Sequence, residues 1–431
     1  MSLLDARSIP LDDTSADFLR EQGLRYRTIN VNNPADADVF SQSVARGFLG
    51  ARPSNESLER SRGALADRRN IGVFDERLHP GAWPIATVGS WVTPLTVSGG
   101  ELPMWAISSV TVSGTHRRRG IARAMLEGEL RAAAEAGMAV AGLTVSEATL
   151  YERYGFGPAV PMARFVVDTR RAGWAGAEPA GRFEHLDRAR LATALGGLHE
   201  QERRQRAGQI AGWTSRWERS SGLEPGDKTG DAVRGIRYTD ADGLVRGAMA
   251  YELAEGDADT YTLRVRQLTA VTSEAVAALW HFALHHALVS RVEADLRPLD
   301  DPLPWLVTDQ RAITQTVRDH GWLRILDLPA FFAAQRAQTD LDVTVALSDP
   351  LGFTTGTWAL RAEAGDAIEA SAHEGDAEIA MSVAALSAAS LGGVRLRQLR
   401  EAGRVTGSAA AASALDRALT PEQAPALSIW Y

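Results

Sequence analysis

Three consecutive arginines, Arg117, Arg118 and Arg119, followed by Gly120 and Ala122, are the residues here best suited to holding an anion. They separate a run rich in β-branched residues, Met104 to Val112, from a run of strong helix formers, Ile121 to Ala136. A strand that turns directly into a helix leaves the first helical N–H groups unpaired, and guanidinium groups beside them add positive charge. That combination suits a phosphate-bearing ligand. Gly120 and Ala122 are small enough to let an anion reach the main chain. The alternative is a solvated basic loop. No Gly-Lys-Ser/Thr follows a glycine-rich loop, and the three-glycine dinucleotide pattern is missing.

A second group of reactive types follows: Ser146, Glu147 and Tyr151, with Tyr154 and Phe156 close behind. A phenol with a pKa near ~10 can hand a proton to a leaving group, but the same ring packs well in an aromatic cluster. Glu147 and His116 are the side chains here that could serve as a general base, and each has a plain structural reading as well. His116 reads better as a brace for the arginine turn. The sequence ends Leu427-Ser-Ile-Trp430-Tyr431. Disordered tails are usually polar, so an aromatic end implies a docked one.

These groups must be positioned by a well-packed scaffold. The 431 residues exceed what one hydrophobic core organises, so two or three domains are expected. The net charge of −8 argues against wholesale nucleic-acid binding and makes the arginine run a local feature. With no cysteine, disulfides, thiol nucleophiles and Cys-based zinc sites are excluded, and no metal is expected. No apolar run approaches the roughly 20 residues of a membrane span, and the first residues do not read as a secretory signal. A cytoplasmic protein without a membrane partner is the expectation.

Residues 1–23 read as a leader, loose or docked. Strand 25–31, helix 34–48 (Phe40, Val44 and Phe48 spaced by four) and helix 55–66 follow. Strands at 71–74, 84–92 and 105–112 lead into the arginine turn. Helix 120–136, strand 140–145, a helical turn at 149–154 and strand 162–168 complete an α/β unit. A Gly/Ala/Pro-rich linker, 170–181, separates this from helix 187–209 and strands 232–239, 244–253 and 260–267. Helix 273–288, capped by Ser273, and strand 291–296 close a second unit. Strand 321–328, helix 329–335, strands 341–347, 356–362 and 367–372, and helices 381–388 and 409–419 end the chain.

Arg117-x-x-Gly120-x-Ala122 after a Val-Thr-Val strand resembles the acetyl-CoA-binding motif of the GCN5-related N-acetyltransferases (GNAT). The longer strings Val110-Thr-Val-Ser-Gly-Thr-His-Arg-Arg-Arg-Gly-Ile, Ser146-Glu-Ala and Leu150-Tyr-Glu-Arg-Tyr-Gly-Phe-Gly-Pro-Ala resemble the Enhanced intracellular survival (Eis) proteins of actinobacteria, which are aminoglycoside N-acetyltransferases. The resemblance implies an α/β (α+β) chain: tandem GNAT folds, one active and one degenerate, then a sterol-carrier-like α+β domain. Its domains would be 24–168 completed by strand 321–328, then 169–320, then 329–431. It implies acetyl-CoA as co-substrate, with the arm against the main chain of Val110, Thr111 and Val112. The phosphates would lie on Arg117, Arg118, Arg119, Gly120, Ile121 and Ala122, with Ser146 nearby. Tyr151 would be the general acid and the main-chain carboxylate of Tyr431 the general base. Phe48, Glu147 and Trp430 would meet a small-molecule amine, and six copies would assemble as two trimers. The family's acid shortly after the phenylalanine is missing here, and Arg52 stands close by with the opposite sign. Amine acetylation is therefore implied more firmly than the identity of the amine. Protein lysine as acceptor, or a non-catalytic coenzyme- or lipid-binding module, are the competing readings.

Overall fold

The computed structural model describes residues 3–79, 82–256 and 260–431, so Met1 and Ser2 of the leader lie outside the described residues. The chain divides into two compact units. One comprises Met1–Ala159, Gly321–Thr420 and Tyr431; the other comprises Val160–His320 and Pro421–Trp430.

The first unit opens with α1 (Asp13–Arg20), capped by Asp12. The leader is docked. Ser15 Oγ donates to the Ala124 carbonyl at 2.6 Å, and Arg131 pairs with Asp12 at 2.7 Å. Then come β1 (Leu24–Thr28), α2 (Pro34–Gly47), α3 (Asn55–Leu65), β2 (Arg69–Asp75), β3 (Ala86–Val97), β4 (Gly100–Val112), α4 (Ile121–Glu135) and β5 (Val140–Thr144). Asn33 caps α2 and Pro34 occupies its first position, as the sequence implies. The expected Phe40–Val44–Phe48 stripe runs out, because Phe48 lies past the helix end and is half exposed. Strands β1 to β4 pair antiparallel, whereas β4 and β5 are parallel. The core under α4 gathers Trp105, Ile107, Ile121, Met125, Leu143 and Val145. Two single 3₁₀ turns, Ala148–Leu150 and Glu152–Tyr154, stand where a helical turn is expected.

Strand β6 (Gly157–Asp168) leads into the second unit, which continues with α5 (Thr169–Ala172), β7 (Arg182–Leu186), α6 (Arg188–Glu202), α7 (Thr214–Ser220), β8 (Arg234–Thr239) and β9 (Val245–Glu255). Next are β10 (Tyr261–Ala270), α8 (Ser273–Leu284), β11 (Val289–Arg297) and α9 (Leu303–Leu306). The strand order is β6-β11-β10-β9-β8-β7, with β10 and β11 parallel. α5 takes up the first three residues of the expected linker 170–181, whose remainder has neither helix nor strand, and β7 was not expected, since Arg182-Phe-Glu-His-Leu has little β-branched content. The cap of α8 is Thr272, whose hydroxyl accepts from the Ala275 N–H; Ser273 is already helical.

Strand β12 (Ile313–Ile325) brings the chain back, and its Gly321–Ile325 half pairs antiparallel with β5. The remainder is α10 (Leu328–Ala333), β13 (Leu341–Ser348), β14 (Gly356–Ala362), β15 (Glu369–Ala372), β16 (Ile379–Ser382), α11 (Val383–Ala389), α12 (Leu396–Glu401), β17 (Val405–Gly407) and α13 (Ala409–Leu419). Its five strands run in the order β15-β14-β13-β16-β17. Met381, expected in a helix, is in β16; Ser382 caps α11 and sets the boundary. The buried pair Arg324–Asp349 and the Ser98–Gln335 hydrogen bond tie this region to the rest of its unit.

Candidate active site

The site begins where two parallel strands part. The β4–β5 ladder holds at Met104↔Val140, Trp105↔Ala141 and Ala106↔Gly142, and then stops. Both strands continue, to Val112 and Thr144. The cause lies in β4, where Ser109 has φ 55° and the register with β3 slips between Thr87 and Gly89. One extra residue bends the strand. Past the bulge, Ser113 donates its N–H to the Ile85 carbonyl, and Thr111 meets Thr87 Oγ1 at 2.6 Å. By alternation, the main-chain groups of Val110 and Val112 face away from β3, toward the gap.

The arginine turn closes one end of that gap. Arg118 has φ 62° and Gly120 φ 75°, both left-handed, so the main chain curls around the helix start. A side chain at Gly120 would be strained and would meet Phe18 at 3.0 Å. Helix α4 has no side-chain cap, which leaves its first N–H groups for another partner. Arg117 and Arg118 are exposed and form no ion pair among the described residues, whereas Arg27, Arg62, Arg77, Arg123 and Arg131 of the same unit are all paired. Arg119 donates to the Gln22 carbonyl at 3.4 Å, so it fastens the turn to the end of α1. His116 is a brace: Nε2 donates to Asp75 Oδ2 at 3.1 Å, and Nδ1 meets Thr115 Oγ1 at 2.7 Å. Ile121 is buried in the core and Ala122 is half-buried, so both leave the main chain approachable.

Alternate residues of β5 face opposite sides of the sheet. Ala141, Leu143 and Val145 join the core that contains Tyr151, whose ring is buried and meets Phe156 edge-on at 6.2 Å. Its hydroxyl has no hydrogen-bond partner among the described residues. Burial, then the charge of Glu147, pushes the Tyr151 phenol up, so it stays protonated at neutral pH. Ser146 and Glu147 are exposed just beyond β5. Tyr154 is core.

On the other side of β5 lie Gly142 and Thr144, and here Tyr431 docks. Thr144 Oγ1 donates to the main-chain oxygen of Tyr431 at 2.6 Å, and the Tyr431 N–H lies 3.3 Å from the same hydroxyl. The Tyr431 ring stands edge-on to Trp91 at 5.5 Å, and a Cβ on Gly142 would come 3.1 Å from its hydroxyl. Thus Tyr151 and Tyr431 belong to opposite faces of β5, one of the two strands that border the gap. Phe48, Leu49 and Arg52 are exposed past the end of α2. A Cβ on Gly47, at that helix's end, would overlap Thr111.

Within the second unit, the segment before Tyr431 is fixed residue by residue. Ser428 N–H donates to Gln209 Oε1 at 3.1 Å, His320 Nε2 donates to the Ile429 carbonyl at 3.0 Å, and Trp430 stands edge-on to His320 at 4.4 Å. Burial pushes His320 down to about 4, so the ring is neutral. Sequence reasoning did not find Thr144, Trp91, Gln209 or His320. Thr144 is 287 positions from Tyr431 and looks like any strand end.

A strand pair opened by a bulge, beside an uncapped helix start, can receive an extended ligand that carries phosphates. Acetyltransferase (GNAT) domain models match residues 28–159 and 208–325, and a sterol carrier protein domain model matches 328–428. An uncharacterized N-acetyltransferase of Streptomyces griseus is 33% identical over 409 residues, covering 90% of this chain and 95% of that protein. N-acetyltransferase Eis of Mycobacterium tuberculosis (strain ATCC 25177 / H37Ra) is 32% identical over 252 residues, 56% of this chain and 60% of that protein. The crystal structure of Eis1 from Mycobacterium abscessus superposes with a TM-score of 0.79 at 27% identity, covering 94% of this chain and 100% of that one. The chain belongs to the Eis family of GCN5-related N-acetyltransferases. It is an N-acetyltransferase, built from two GNAT folds and a sterol-carrier-like domain, and its fold implies acetyl-CoA as co-substrate. No helix among the described residues is long and apolar enough to cross a membrane.

Proposed function

We propose that the chain acetylates amino groups of aminoglycoside-like polyamines, with the amine attacking acetyl-CoA directly. The coenzyme supplies an activated acetyl group and a thiolate leaving group. The main-chain N–H groups from Arg118 to Ala122, with the Arg117 and Arg118 side chains, hold its phosphates, and Ser146 sits beside them. The main chain of Val110 and Val112 holds the arm as a substitute strand, with Thr111 fixing their direction through Thr87. Tyr151, its phenol kept protonated by burial, delivers the proton that the departing sulfur needs. The main-chain carboxylate of Tyr431, oriented by Thr144, takes the proton of the attacking amine. Phe48, Glu147 and Trp430 contact the acceptor.

The supporting observation is the 2.6 Å hydrogen bond from Thr144 Oγ1 to Tyr431, one strand residue pair beyond the point where β4 leaves β5. The exposed Arg52 favours a second reading, in which the acceptor is less cationic, such as a lysine side chain or another cellular amine. An acetyl-CoA assay over kanamycin-type aminoglycosides, a lysine peptide and simple diamines tests both. Turnover highest on the aminoglycosides supports the first; turnover confined to the peptide overturns it. A cytoplasmic homo-hexamer of two trimers is part of the proposal, and a sedimentation measurement giving a monomer would remove it.

A further inference from the structure

The second GNAT unit repeats the geometry of the first. Its parallel β10–β11 ladder runs from Thr262↔Arg291 to Val265↔Ala294 and then ends. The register of β10 with β9 slips between Val265 and Gln267, so Arg266 is the extra residue, as in the bulge of β4. Where the strands part, a cavity of about 140 Å³ opens, walled by Arg216, Arg266, Arg297, Asp295 and, from the C-terminal segment, Ser428 and Trp430.

The three arginines differ in their partners. Arg266 pairs with Asp227 at 2.8 Å and lies 3.5 Å from Glu252, while Arg297 pairs with Asp301 at 2.7 Å. Arg216, on α7, has neither an ion pair nor a side-chain hydrogen bond among the described residues, and its Nε is shut off from solvent. Burial, then the neighbouring Arg219 and Arg266, lowers Arg216 to about 10, which still leaves it charged at neutral pH. A half-buried guanidinium whose Nε is unpartnered, next to arginines already paired with carboxylates, has room for an anionic partner. Among the described residues no carboxylate, Asp295 included, forms an ion pair with it.

We propose that this cavity is a carboxylate-binding site, with the guanidinium of Arg216 as its anchor. A planar monoanion matches the fork of a guanidinium. Asp295, exposed at the same cavity, disfavours a dianion such as phosphate. Its anchor, Arg216, has no part in the acetyl-transfer reading, although Trp430 lines this cavity as well.

The test is a thermal-unfolding titration of the full chain with sodium acetate, against sodium chloride at matched ionic strength. The wild type should show a saturable rise of about 2 °C or more. Arg216→Met should weaken the apparent affinity at least about tenfold, and Arg216→Lys should retain part of it. Because Arg216→Met removes a half-buried charge that forms no ion pair among the described residues, its melting temperature in acetate-free buffer should not fall, so lost binding cannot be confused with lost folding. No saturable rise in the wild type, or an equal rise in Arg216→Met, overturns the site. A parallel phosphate titration whose wild-type-minus-variant effect exceeds that of acetate overturns the carboxylate assignment.

Discussion

The two GNAT units share a bulged strand, a parallel neighbour that parts from it, and a helix that follows. They differ at the strand-to-helix junction. In the first, eight residues separate β4 from α4, two of them left-handed, and the helix start is uncapped. In the second, only Val271 and Thr272 separate β10 from α8, and the Thr272 hydroxyl takes up one of the helix's first N–H groups, that of Ala275. A helix start capped by its own chain has less to offer a phosphate. On the reading proposed above, the junction decides which of two like folds holds the coenzyme.

Several substitutions would break or sharpen that contrast. The largest effect is expected from Tyr151→Phe, which should lower kcat by about 10²- to 10⁴-fold, the usual worth of a positioned acid, while coenzyme binding measured by calorimetry stays unchanged. Arg117→Gln with Arg118→Gln should raise KM for acetyl-CoA by about tenfold or more. The matching change in the second unit, Thr272→Ala, should leave that KM alone and destabilise the protein by about 1 kcal/mol in a denaturant titration. A KM effect of similar size from both would erase the distinction between the junctions.

The smallest effect concerns pH. His320 has a folded value near 4 against an ordinary 6.5, so the unfolded chain binds the extra proton. Its contribution to stability is complete above about pH 6.5 and declines as pH falls toward 4. His199, pushed down to about 4 by burial, adds to the same trend. His320→Asn should flatten part of this decline in melting temperature between pH 6.5 and 4; an unchanged profile would count against the tail anchor.

Much of the first junction was legible in the sequence. Three arginines and a glycine between a β-branched run and a helical run marked the strand-to-helix turn, though a solvated basic loop has the same composition. The aromatic tail likewise read as docked. What it docks against was not legible, because Thr144, Gln209 and His320 are ordinary strand, loop and strand residues until folding brings the tail to them. The bulge at Ser109 left no mark either, since neither Gly nor Asn supplies its positive φ. Thr272 was missed as a cap because Ser273 offers the same chemistry one residue later.

On the proposed mechanism, the main-chain carboxylate of Tyr431 serves the gap between β4 and β5. Appending a Gly-Ser pair after Tyr431 converts that carboxylate into an amide and leaves every side chain in place. Steady-state kinetics on the extended protein should show kcat lowered by about 10²-fold or more, with KM for acetyl-CoA unchanged. A kcat within twofold of the unextended protein would contradict the account.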